Sequence, residues 1–141
     1  MLGFPLYRKD FKALADLRAE DARVLLSNGR FQGSYYLAGY AVECALKACI
    51  AKKTKRFEFP PKPDHARRLY THGLTELLRL AGLDEPLETD MGKNKALREN
   101  WLIVKDWTEE SRYSAAHPAA KDMYNAISGA DGVLGWIKLR W

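Results

Sequence analysis

Two side chains in the stretch from Trp107 to Pro118 could together handle a phosphodiester. The segment reads Trp-Thr-Glu-Glu-Ser-Arg-Tyr-Ser-Ala-Ala-His-Pro, which places Arg112 and His117 five positions apart among polar and small residues. An arginine grips two phosphate oxygens through its planar fork. A histidine exchanges a proton near neutral pH.

The local geometry must bring them together. On one continuous helix the two side chains would point about 140° apart and could not meet one ligand. Pro118 argues against continuity, because the residue before a proline is pushed out of the helical region. Proline also favours the first helical position, so Pro118 is expected to open a helix with His117 at its cap. Such a start presents unpaired backbone N–H groups and the positive end of the helix dipole, which attract anions. A neutral imidazole there could act as a base. The spacing alone is loose, and it equally describes a capping histidine near a surface arginine.

The chain of 141 residues is long enough for one domain with its own core, without metal or disulfide staples. Cys44 and Cys49, five apart in an apolar segment, would point in different directions on a helix, so buried reduced thiols in a cytoplasmic protein are expected. The amino-terminal stretch lacks a signal-peptide core, and no apolar run is long enough to span a membrane. The 23 basic residues exceed the 18 acidic ones by five, compatible with an RNA or nucleotide partner. Asp64, His65 and His72 follow no standard ligand spacing, so neither a metal nor a cofactor is expected.

Five helices carry the periodicity. The first runs from a cap at Asp10 to about Asn28, with Leu14, Leu17, Asp21 or Ala22, and Leu25 as its inward stripe, and Asn28-Gly29 as its stop. The second, Phe31 to Lys53, has Leu37, Ala41, Cys44, Ala45, Ala48 and Ala51 on an apolar face whose small residues admit a close neighbour. Tyr36, Tyr40, Glu43 and Lys47 share another face. Glu43 and Lys47 form an i,i+4 pair worth ~0.3 kcal/mol if solvated, and this structural reading outweighs a role for Glu43 in orienting Arg112.

Residues 54 to 72 read as a loop broken by Pro60, Pro61 and Pro63; Lys52, Lys53, Lys55, Arg56, Arg67 and Arg68 form either a solvated basic surface or a track for a phosphate backbone. A short helix follows between Gly73 and Gly82, with Leu74, Leu77, Leu78 and Ala81 inward, and Asp84 to Gly92 reads as a connection. A fourth helix spans Lys95 to about Trp107, and the last runs from Pro118 to Trp141 with Met123, Ala126, Ile127, Ala130, Val133, Leu134 and Ile137 as its stripe. Gly129, Gly132 and Gly135 within it indicate either a close crossing or a bend. No segment alternates as a strand would. The expected fold is therefore an all-α, antiparallel bundle of about five helices.

Taken in order, these blocks resemble the HEPN domain. The resemblance rests on Ala22-Arg-Val-Leu-Leu-Ser-Asn-Gly-Arg-Phe31, Gly33-Ser-Tyr-Tyr-Leu-Ala-Gly-Tyr-Ala-Val-Glu-Cys-Ala-Leu-Lys-Ala48, His72-Gly-Leu-Thr-Glu-Leu-Leu78, and Trp107 followed by Arg112-Tyr113. It covers about residues 10 to 140. It implies a homodimeric helical bundle and, in nuclease members, an Arg-x4-6-His motif from each protomer that meets its partner to cut RNA without a metal. Carried over, Arg112 holds the phosphate and His117 is the acid or base, with attack by the ribose 2′-hydroxyl leaving a 2′,3′-cyclic phosphate. Tyr113, Ser114, Tyr40 and Lys47 would contact the nucleotide or RNA, supported by Glu43. Toxin members are neutralised by a nucleotidyltransferase antitoxin that modifies a tyrosine two positions after the histidine; here that position is Ala119. Relatives with Arg-Tyr-Pro and no such histidine resemble nucleotide-binding or nucleotidyltransferase-partner modules. Here Ser114 replaces that proline and His117 is present.

Overall fold

The computed structural model describes residues 7–53, 71–110 and 117–141. Every regular element among them is helical: α1 (Arg8–Ser27), α2 (Phe31–Lys53), α3 (Leu74–Leu80), α4 (Asp84–Lys93), α5 (Lys95–Val104), α6 (His117–Ser128) and α7 (Val133–Lys138). The all-α class is as expected, with two more helices than the periodicity indicated. The expected basic residues Lys55, Arg56, Arg67 and Arg68, and the Asp64 and His65 whose spacing fits no standard ligand pattern, lie outside the described residues.

α2 is the axis of the bundle. Its outward and inward faces cannot be told apart, because Ser34, Ala38, Gly39, Ala41 to Leu46 and Ala48 to Ile50 are all buried. α1, α3, α6 and α7 each pack against it, α1 most extensively. Small residues make this surround feasible, since they let several helix axes approach at once. The single apolar face expected for α2 is thus a full circumference. The buried Cys44 and Cys49 are free, as expected. Burial pushes the Cys44 thiol up to about 12 and the Cys49 thiol up to about 11.

Two consequences are measurable. Both thiols are expected to resist alkylation in native protein at pH 8 and to react once it unfolds, because only the thiolate is nucleophilic. Both thiols also stay protonated in the fold while the unfolded chain releases their protons above about pH 9. Stability should therefore fall as pH rises from about 9 towards 12, which denaturant titrations at several pH values would read.

The α1 stripe is rotated from its expected position. Ala15 and Ala22 are buried, Leu14 and Leu25 are half-buried, and Leu17 and Val24 are 52% and 43% exposed. Alanine at the contact allows α1 to lie close to α2, where the buried Ser34 hydroxyl donates to the Ala22 carbonyl at 2.7 Å. Asp10 is not the cap residue but the third residue of the helix, and its carboxylate accepts from the Tyr7 backbone N–H at 2.8 Å. The Asn28-Gly29 stop is present. Gly29 adopts φ 73°, and the Arg30 N–H donates to the Leu25 carbonyl at 2.8 Å.

Asp84 to Lys93 is a helix rather than a connection. Asp84 and Glu85 stand in its first turn with Pro86 next, chemistry that suits a helix start. It buries one side chain, Leu87, so apolar periodicity carried no signal. Asp90 ties α4 to the end of the chain by accepting from the Trp136 indole at 2.8 Å and from Arg140 at 3.0 Å.

The long last helix is also two. The glycines mark a break between α6 and α7, and Ala130 is exposed there instead of joining the stripe. A Cβ at Gly132 would lie 2.5 Å from the Ile127 carbonyl oxygen, so the turn requires glycine. Asn94 and Asn100 of the α5 region clamp it, donating to the Asp131 carboxylate and carbonyl, each at 2.9 Å.

Candidate functional site

His117 opens α6, one position earlier than Pro118 was expected to, and its side chain is exposed. Its ring meets the edge of Phe31, the first residue of α2, with centroids 4.7 Å apart at 62°. This contact orients the imidazole. Arg112, Tyr113 and Ser114 lie outside the described residues.

The other predicted site residues gather elsewhere on α2. Glu43 is buried, and both its oxygens are engaged: Lys47 Nζ donates to Oε2 at 3.0 Å, and His72 Nδ1 lies 2.9 Å from Oε1. His72 Nε2 lies 3.3 Å from the Glu109 carboxylate. A line of polar contacts thus runs from Lys47 through Glu43 and the His72 ring to Glu109. Isolation would make a buried carboxylate costly, and the two partners on Glu43 offset that cost. The expected structural role of the Glu43–Lys47 pair is present, although the pair is largely buried rather than solvated.

Tyr40 lies beside this group. Its ring stacks on Tyr36 with centroids 6.1 Å apart, and Tyr36 in turn lies 6.0 Å from the Trp107 ring. Burial first, then the neighbouring Cys44 and Glu43, push the Tyr40 hydroxyl up to about 12, so it can donate a hydrogen bond but not serve as a base near neutrality. Trp107 is buried and sits directly over Gly39. Its indole N–H has no hydrogen-bond partner among the described residues.

These residues form one strip along α2 but do not converge on His117. From Phe31 to Tyr40 the helix rises about 14 Å, and from Phe31 to Glu43 about 18 Å. Tyr40, Glu43 and Lys47 are accordingly brought together with one another, and not with the imidazole of the same protomer. Sequence reasoning missed His72 and Glu109 as members of this strip. The available signal was positional: His72 immediately precedes the Gly73 cap of α3, and Glu109 belongs to the same stretch as Arg112.

Among the described residues, no group of three or more histidine, cysteine or acidic side chains could hold a metal ion, and no helix is long and apolar enough to cross a membrane. What remains is an all-helical domain with an exposed histidine at a helix start and a buried, ionically anchored glutamate on its central helix. The model of the HEPN domain matches residues 9–140, nearly the whole chain, and the chain belongs to that family, whose members are generally ribonucleases or nucleotide-binding modules. Neither the curated proteins nor the solved structures contain a match.

Proposed function

We propose that this chain is a metal-independent endoribonuclease of the HEPN type, working in the cytoplasm as a homodimer. The observation that carries this reading is His117 itself: an exposed imidazole on the first residue of a helix, held against the Phe31 ring. Helix starts attract phosphate, so a phosphodiester docked there lies within reach of a proton acceptor.

The reaction forms a bond from the ribose 2′-oxygen to phosphorus and breaks the bond to the 5′-oxygen of the next nucleotide. One imidazole takes the 2′-hydroxyl proton, a second returns a proton to the departing 5′-oxygen, and Arg112 balances the extra charge on the five-coordinate phosphorus. One protomer has a single Arg112 and a single His117 on this stretch, too few for base, acid and charge clamp at once. Two copies supply both imidazoles. Such an enzyme suits the toxin half of a toxin–antitoxin pair, with a nucleotidyltransferase as partner, although Ala119 removes the usual tyrosine for modification.

The test is incubation of purified protein with single-stranded RNA in excess EDTA. Cleavage with 2′,3′-cyclic phosphate ends supports the proposal; intact RNA with retained nucleotide binding supports a non-catalytic binding module instead. One observation favours that second reading: Tyr40 and Lys47, expected to touch the nucleotide, do not line the His117 site of their own protomer.

A further inference from the structure

We propose that His72 is a positioning residue, pinning to the core the connection from Trp107 to Glu110 that leads into the Arg112 stretch; the catalytic part of this inference rests on the ribonuclease reading above. Two contacts hold that connection. The first is the indole of Trp107 seated over Gly39 of α2. The second, two residues further on, is Glu109, whose carboxylate lies 3.3 Å from His72 Nε2.

The imidazole can serve as a fixed post because its other nitrogen is 2.9 Å from Glu43, which is buried and held from behind by Lys47 at 3.0 Å. Three separate parts of the chain meet in this relay: α2, the entry to α3, and the connection after α5. Glu109 and His72 are both nearly half exposed on their outer sides, and an exposed ion pair adds little to stability. Its effect is on where the backbone of Trp107 to Glu110 stays, a stretch that ends two residues before Arg112. Misplacing a catalytic group by an ångström is enough to lose much of its effect.

The ring's two nitrogens can be separated by mutation. An asparagine at position 72 keeps an amide nitrogen near the place of Nδ1, preserving the bond to Glu43, but cannot reach Glu109. Glu109→Ala removes the link from the other end. Wild type, His72→Asn, Glu109→Ala and the double variant are compared for cleavage of a single-stranded RNA oligonucleotide and for hydrogen exchange of the residue 107–110 amides. Each single variant is expected to lower kcat about tenfold with little change in KM and to speed exchange, and the double variant to lose no more than either alone. Unchanged exchange, unchanged kcat or additive losses would overturn the proposal. If the wild type cleaves no RNA, the ribonuclease reading and the catalytic role of the pin are both overturned, and the exchange comparison separately decides whether the pin exists.

Discussion

His117→Ala and Arg112→Ala are each expected to lower RNA cleavage by about a hundredfold or more, the usual scale for losing a positioned proton-transfer group or a charge clamp. For His117 the loss should come without unfolding, because the side chain is exposed and its one ring contact is with Phe31. Thermal denaturation should therefore superimpose on wild type while activity collapses. Arg112→Lys keeps the charge but not the two-pronged grip, and is expected to recover only a small part of the rate. Mixing wild-type and His117→Ala chains gives a sharper reading. If the proposed dimer needs both imidazoles in one cleft, mixed assemblies are inactive and cleavage falls more steeply than the share of wild-type chains, whereas self-contained sites lose activity in proportion to it.

The second large effect falls on the fold. A Cβ at Gly39 would lie 2.2 to 2.3 Å from three atoms of the buried Trp107 ring, far inside contact distance. Neither partner has room to yield, since the ring is a core side chain and Gly39 is in the interior of the central helix. Gly39→Ala is expected to cost about 3 kcal/mol, a fall of roughly 10 °C in midpoint for a domain of this size. The replacement is otherwise favourable to a helix by up to ~1 kcal/mol, so a stabilised variant would contradict the close seating of the indole.

How far this architecture could be read from the residues differs from one element to the next. α2 was legible to the residue at both ends, because a long run rich in alanine and leucine follows a clear Asn-Gly turn. Its full burial was not, since periodicity reports faces and a helix surrounded on all sides has none. In α1 the larger side chains suggested a stripe, but close approach was decided by Ala15 and Ala22, leaving Leu17 in water. α4 was hidden because its signals lie in charge and proline at the first turn rather than in buried side chains. The division of the last helix was foreshadowed by its glycines, while the choice between crossing and bend depended on Asn94 and Asn100, distant in sequence.

At the site, the Glu43–Lys47 pair was readable because it is local. The link from Glu43 to His72 was not, as it spans 29 positions and joins α2 to the segment before α3. Pro118 marked the start of α6 to within one position, and His117 is the first residue of that helix rather than its cap.

Because α1, α3, α6 and α7 all pack on the buried middle of α2, none of these four can leave without opening the same interior to water. They therefore have no independent melting of their own, and heat should take them apart in one all-or-none step, with calorimetric and van't Hoff enthalpies in agreement. The amides of α2 would be the last to exchange with solvent, at a rate set by global opening alone.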